Sequence, residues 1–301
     1  MSWRIVVISN NAKLEYKMEY MIVRQSEITK IHLSEISMLI VESTAVSLTA
    51  GLLSELTKRK IKVIFCDEKR NPSSELVSYY GSHDTSAKVR QQVGWTAEIK
   101  KMMWTEIVSE KIRNQQRFLE NLGKKENVML TEYLKEIQPG DITNREGHAA
   151  KVYFNAVFGM DFSRSLDIPI NAALNYGYAI IRGMIARSII CYGLEPSIGI
   201  FHHSELNNYN LADDMIEPFR PLVDLYVSSH FDISEIDSTL TPEMKKGLFG
   251  IINFDMSVKG DMRIVSNCID MLIASYSSAL QGNRTELDLP ELIQLQVHSY
   301  E

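Results

Sequence analysis

Ile61-Lys62-Val63-Ile64-Phe65-Cys66-Asp67-Glu68-Lys69-Arg70-Asn71-Pro72-Ser73-Ser74 is the stretch in which the chain changes character. Its first six residues, β-branched or apolar except Lys62, read as a strand, and Asn71-Pro72-Ser73-Ser74 is a break. Upstream the signals are short and strand-like. Downstream, from Asp84 on, the apolar period is helical almost throughout. The boundary therefore falls within 70–85. The expected architecture is α+β: a small N-terminal β-sandwich-like domain (1–75), a linker (76–84) and a large all-α C-terminal domain (85–301).

Working back from the boundary, Trp3 to Ser9, Ala12 to Lys17, Tyr20 to Arg24, Ile28 to Leu33 and Met38 to Glu42 read as strands at the close spacing of an antiparallel sheet stack. Ser47 is expected to cap a helix carrying Leu48, Leu52, Leu53 and Leu56 on one side. Lys58, Arg59 and Lys60 would stand in its last turn. Working forward, Trp95 to Asn121, Asn127 to Glu136 and Ile170 to Gly193 are helices. Thr143 caps another that runs to Phe158, with Glu146 completing a capping box. Tyr209 to Phe231 is kinked at Pro218 and Pro221, Thr241-Pro242-Glu243 opens a helix, and Met262 to Leu280 is the last long one. The acidic tail is read as peripheral.

The 301 residues are 45% hydrophobic and 23% charged, which excludes disordered, collagen-like and coiled-coil classes. Cys66, Cys191 and Cys268 form neither a disulfide framework nor a zinc spacing, so a reducing compartment is expected. The N-terminal apolar run is too short for a signal peptide, and Arg182 and Arg187 interrupt the most apolar long stretch. These features suggest a soluble cytoplasmic protein. The formal charge of −6 hides an asymmetry: residues 58–125 hold 15 Lys/Arg against 8 Asp/Glu, leaving 17 against 30 elsewhere. Such a basic middle suits a phosphate-binding face, although a solvated helix surface has the same composition.

Three segments could carry chemistry. Glu146 lies on the same helical stripe as Ala150 and Tyr153, where a carboxylate needs a partner: an arginine, a helix N-terminus or a metal ion. A capping box or structural ion pair would serve as well. His202, in Gly199-Ile200-Phe201-His202-His203, ends an apolar segment, and His203 reads as solvated. In Leu211-Ala212-Asp213-Asp214-Met215-Ile216-Glu217-Pro218-Phe219-Arg220-Pro221, Asp214 and Glu217 face the same way at i, i+3. Their repulsion, and two prolines in one stretch, count against an ordinary charged face. If Glu146, His202 and Glu217 converge, two carboxylates and one imidazole suit Mn²⁺ or Mg²⁺ and phosphodiester chemistry.

These segments, with Glu146-Gly147-His148-Ala149-Ala150-Lys151-Val152-Tyr153-Phe154 and Pro169-Ile170-Asn171-Ala172-Ala173-Leu174-Asn175-Tyr176-Gly177-Tyr178, resemble a known family in both order and spacing. It is the universal CRISPR-associated adaptation integrase family, the "Cas one" proteins, in the form found beside the large single-protein effector nuclease (type II). The resemblance implies metal ligation and catalysis by Glu146, His202 (rather than His203) and Glu217, with Asp214 able to assist. It implies a homodimer formed through the N-terminal domain, and two such dimers flanking a dimer of a small ferredoxin-like partner. It further implies binding of a double-stranded prespacer and joining of its 3′-hydroxyls to the leader-proximal CRISPR repeat by transesterification, as part of antiviral defence. A metal-dependent nuclease activity on branched DNA belongs to the same family picture. So does work with the type II effector nuclease and a ring-shaped DNA-end-binding protein. No motif fixes the DNA contacts; Lys58, Arg59 and Lys60 are candidates by charge alone. The rival readings are a non-catalytic DNA-binding scaffold of the same fold and a general branched-DNA nuclease.

Overall fold

The computed structural model describes residues 4–68, 70, 72–76, 82, 84–231 and 240–298. The chain forms two compact units that divide between residues 81 and 82. Trp3, and most of the segment expected to be a linker, lie outside the described residues.

The first unit runs β1 (Arg4–Ile8), β2 (Ala12–Lys17), β3 (Tyr20–Arg24), β4 (Ile28–His32), β5 (Ile36–Val41), β6 (Val46–Leu48), α1 (Ala50–Lys58), β7 (Lys62–Cys66) and β8 (Pro72–Leu76). Two four-stranded sheets, ordered β1-β5-β7-β8 and β4-β3-β2-β6, share one apolar core. Val6, Leu39 and Val63 enter it from one sheet, Leu14, Met21 and Val23 from the other, and Leu52 and Leu56 from α1. The sheets are not the antiparallel stack expected: β1 pairs with β5, β5 with β7 and β2 with β6 in parallel. The reason lies in β5, whose Met38-Leu39-Ile40-Val41 is buried without alternation, as befits an interior strand covered on both faces. The helix cap is Thr49, whose hydroxyl accepts from Leu52 N, while Ser47 lies in β6. Pro72–Ser74, read as a break, belongs to the edge strand β8, where a missing N–H is tolerated.

The second unit contains α2 (Thr85–Gly94), α3 (Ala97–Asn121), α4 (Asn127–Glu136), α5 (Arg145–Phe158), α6 (Pro169–Cys191), α7 (Asn210–Met215), α8 (Arg220–His230), α9 (Pro242–Phe249), β9 (Asp255–Val258), β10 (Asp261–Ile264) and α10 (Val265–Leu280). The mixed α+β class holds. The unit is not wholly helical, however: β9 and β10 form an antiparallel hairpin, so Met262 is in a strand and the last helix starts at Val265. A turn with positive φ at Lys259 and Gly260 closes the hairpin. Among the described residues no helix is long and apolar enough to cross a membrane.

The organising element is α3, a 25-residue helix capped by Thr96. It buries Trp104, Ile107, Val108, Ile112, Phe118 and Leu119, but also Glu110, Lys111, Asn114 and Gln115. Buried polar side chains must be satisfied, and Asn114 shows how. Its Nδ2 donates to Pro218 O and Pro290 O at 2.8 Å each, and its Oδ1 accepts from Leu292 N at 2.8 Å. The tail is thus not peripheral. Leu287 and Leu292 are buried, and Arg117 pairs with Glu291. A second polar knot joins α5, α6 and α8, where the hydroxyls of Tyr153 (2.9 Å) and Tyr178 donate to buried Asp224. Burial pushes the Asp224 carboxyl up to about 6, against the pull of those two hydroxyls.

Asn114→Ala removes the side-chain partner of three backbone groups and is expected to cost about 3 kcal/mol or more. Urea unfolding would check this, and a loss under about 1 kcal/mol would show the tail to be anchored otherwise.

Candidate active site

Glu146 stands in the first turn of α5, and the turn before it is built from residues with positive φ. Asp141 (φ 49°) and Asn144 (φ 52°) both take left-handed conformations that Asn and Asp tolerate best. Asn144 Oδ1 accepts from Gly147 N, while the Asp141 carboxylate accepts from Arg145 N (2.8 Å) and Glu146 N (3.0 Å). The cap expected of Thr143 is therefore supplied by Asn144 and Asp141, and Thr143 Oγ1 makes no hydrogen bond. The backbone donors being satisfied in this way, the Glu146 side chain is released from the capping box. It lies above Ala149 and Tyr153, the buried residues of α5, and faces α3.

His202 is held by Asp214. The Asp214 side chain is fully buried and accepts from the backbone N–H groups of Ile200, Phe201 (3.2 Å) and His202 (3.1 Å), and from His202 Nδ1 at 2.8 Å. Gly199 makes this wrapping possible: a Cβ there would lie 2.1 Å from His202 O and 2.9 Å from Asp214 Oδ2. The bond to Asp214 raises the imidazole pKa against the effect of burial, fixes the ring and leaves Nε2 as the outward nitrogen. His203 is exposed, and its Nδ1 bonds to Phe201 O. Trp104 stacks on Phe201 at 4.3 Å and meets His202 edge-on at 5.8 Å, bracing the loop from α3.

Glu217 opens the single 3-10 turn (Glu217–Phe219) between α7 and α8, where Pro218 stops one helix and Pro221 starts the next. Its Oε1 accepts from Arg220 Nε at 2.8 Å, and its Oε2 lies 2.5 Å from Lys111 Nζ without an aligned hydrogen bond. Lys111 Nζ also pairs with Glu146 Oε1. One buried ammonium on α3 therefore joins two carboxylates from different elements. Burial alone would disfavour the Glu217 charge, but Arg220 and Lys111 outweigh it and hold the carboxyl at about 2. The same two carboxylates raise the Lys111 pKa in spite of its burial.

Among the described residues no three His, Cys, Asp or Glu side chains lie together closely enough to hold a metal ion. Glu146 and Glu217 meet on Lys111, whereas His202 meets Asp214. The donor set nonetheless fits a hard divalent cation: two carboxylates already share one positive charge, and an oriented imidazole lies close enough for the Glu217 charge to act on it. Asp214, by contrast, has both oxygens occupied by four donors, and its place is behind the histidine. A cavity of about 600 Å³ opens on Glu146, lined also by Lys100, Lys101, Trp104, Ile200 and Phe201.

The family profile described as CRISPR associated protein Cas1 matches residues 5–247. The chain belongs to the Cas1 family. Over its full length it is 34% identical to the CRISPR-associated endonuclease Cas1 of Neisseria meningitidis serogroup C, and it covers all of that protein. Among solved structures it is similar to a casposase bound to integration product (TM-score 0.76, 20% identity, 95% of this chain and 93% of the other). It is also similar to a chain of a Cas6-RT-Cas1–Cas2 complex (TM-score 0.71, 17% identity, 96% of this chain and 36% of the other). At these identities the structural matches speak for the fold. They agree with a strand-rich N-terminal unit followed by a mainly helical one.

Within this Cas1-family fold, sequence reading missed Lys111 and Asp141 as parts of the site. Lys111 had a signal: it shares the buried stripe of Trp104, Val108, Gln115 and Phe118, where a cation needs an anion. Among the DNA-contact candidates, Arg59 is engaged by Glu19 (2.5 Å) and Glu55 (3.3 Å), and Lys58 lies 3.6 Å from Glu55. Lys60 has positive φ at the end of α1. In metal-free buffer, ionised Glu217 stabilises the fold fully above its unfolded value near 4.5, and this is lost as pH falls toward about 2. The stability difference between wild type and Glu217→Gln, on the order of 3 kcal/mol near pH 7, is therefore expected to narrow between pH 5 and 2. A difference independent of pH would refute the ion-pair account.

Proposed function

We propose that this Cas1-family chain is a metal-dependent DNA integrase and endonuclease of CRISPR adaptation. It would join the 3′-hydroxyl ends of a double-stranded prespacer to the leader-proximal repeat. The observation that carries the proposal is the meeting of Glu146 and Glu217 on one positive charge beside the Asp214-held His202. In the reaction the 3′-hydroxyl of the incoming strand gives up its proton to solvent and its oxygen bonds to a phosphorus of the repeat. The bond from that phosphorus to its bridging 3′-oxygen breaks, and the departing oxygen takes up a proton. Glu146, His202 and Glu217 would hold Mn²⁺ or Mg²⁺, which supplies a more acidic hydroxyl and neutralises charge at the phosphate.

The remaining work falls to the chain's own groups. Asp214 keeps the proton on Nδ1 of His202 and Nε2 aimed outward. Arg220 holds Glu217 in place, with its guanidinium 4.6 Å from the Tyr178 ring centre. Lys100 and Lys101 line the cavity beside Glu146, where they suit DNA phosphates. The partly exposed Phe201, backed by Trp104, offers a face on which a base can stack.

The assembly we infer is a homodimer formed through the N-terminal unit, read from the sequence as residues 1–75, joined by segment 76–84 to a catalytic unit over 85–301. Two dimers would flank a dimer of the small ferredoxin-like partner. Likeness to a chain of the Cas6-RT-Cas1–Cas2 complex supports a Cas1–Cas2 pairing, and likeness to a casposase bound to integration product supports the strand-joining chemistry. Association with a type II effector nuclease and a ring-shaped DNA-end-binding protein extends the same reading. The second reading, a non-catalytic scaffold, is favoured by the capture of both carboxylates by Lys111.

The test mixes the chain, its small partner, Mn²⁺, a short duplex with free 3′-hydroxyls and a supercoiled leader-repeat plasmid. Joining at the leader-repeat junction is expected, with loss of about 100-fold or more in Glu146→Ala, which loses one partner of Lys111 and is to be compared at a temperature where circular dichroism shows it folded. Tight duplex binding without joining by either protein would favour the scaffold, and cleavage of branched DNA without leader-repeat preference would favour a general nuclease. His202→Ala is expected to abolish joining and His203→Ala to leave most of it. Equal losses would show that the wrong histidine has been assigned.

A further inference from the structure

The arrangement around Lys111 goes beyond the roles of the three proposed ligands. We infer that Lys111 is a resident counter-cation that gives up the Glu146 and Glu217 carboxylates when a divalent cation binds between them, a step that rests on the metal-site reading above. The charges explain why it is there. Glu146 enters on α5 and Glu217 on the turn before α8, and two carboxylates brought together in a largely buried setting repel unless a cation stands between them. Lys111 is 6% exposed and reaches both from α3. With Arg220 on the other Glu217 oxygen, two positive and two negative charges balance without any metal.

A divalent cation added to this quartet leaves an excess of two positive charges, and one cation must move. Arg220 is the poorer candidate to leave. Its guanidinium is held by Glu217 Oε1 at 2.8 Å and by the face of Tyr178. Lys111 is a compact charge on a flexible stem. Its contact with Glu217 Oε2 lacks hydrogen-bond alignment, and the Glu146 carboxylate it holds lines an open cavity. On this account the free protein stores its two ligating carboxylates close together in a closed, neutral form, and the cost of breaking that form is subtracted from metal affinity. No change in protonation is needed, since Lys111 keeps its charge and changes only its neighbours.

The experiment titrates Mn²⁺ into the full-length chain without DNA, following bound and free metal by electron paramagnetic resonance. Lys111→Met removes the competing charge while keeping most of the stem. It is expected to bind Mn²⁺ roughly tenfold tighter than wild type or more, with Lys111→Arg no tighter than wild type. A merely structural lysine predicts the opposite, because disturbing the site weakens the metal. A folded Lys111→Met that binds no tighter than wild type overturns the inference and leaves the metal site standing. If Lys111→Met is unfolded without metal, recovery of its circular dichroism on adding Mn²⁺ supports the exchange, and failure to recover overturns it. Absence of Mn²⁺ binding to wild type and to both variants at millimolar metal removes the metal reading, and this inference falls with it.

Discussion

Two carboxylates on separate elements cannot both stay ionised side by side inside a protein without a cation, and the C-terminal unit of this molecule is arranged around that constraint. Lys111 meets it. Its position on α3 sets where α5 must start and where the turn between α7 and α8 must lie. The helix carries other buried polar groups for the same purpose: Asn114 one turn on holds the Pro218 carbonyl, and Glu110 anchors Arg113 and Arg117. A helix with a purely apolar stripe would pack as well, but would leave the Glu217 turn without a fixed place.

The acidic groups divide their work by environment. Asp214, deeply buried and surrounded by donors, shapes a loop and directs a histidine. Glu217, equally buried, faces cations and stays ionised far below the usual range. Asp224, buried against two phenols, is pushed up to about 6 and serves packing between α5, α6 and α8. These three carboxylates lie within one short stretch of sequence. What separates them is which donors or cations the fold places opposite each.

Much of this was legible in the sequence. The helical period from Asp84 on separates a strand-rich N-terminal part from a mainly helical one, although Pro72 lies in a strand and not at the division, and the i, i+3 spacing of Asp214 and Glu217 with two prolines marks an unusual acidic turn. The parallel pairing around β5 was missed because the close spacing of short strands suggested hairpins, although the unbroken apolar run of Met38 to Val41 carried the contrary signal. The sequence points to Thr143 as the cap because Asn144 and Asp141 fulfil that role only through positive φ, a conformation that residue type permits but does not announce. Lys111 was counted with the basic surplus of the middle region. A charge total says nothing about direction, and only the stripe it shares with Trp104 and Phe118 points it inward. The roles of Asn114 and the tail could not be read at all, since their partners are more than a hundred residues apart.

That last separation has a bearing on how the site comes into being. Asn114 fastens the Pro218 turn with the same amide that it offers to residues 290 and 292. During synthesis α3 leaves the ribosome early and the Glu217 turn about a hundred residues later, but the final strap emerges only after some seventy residues more. Folding proceeds from the N-terminal side as the chain appears, so the turn that presents Glu217 receives its last anchor late. The acidic site of such a chain is not fully anchored until residues 290 and 292 have been made.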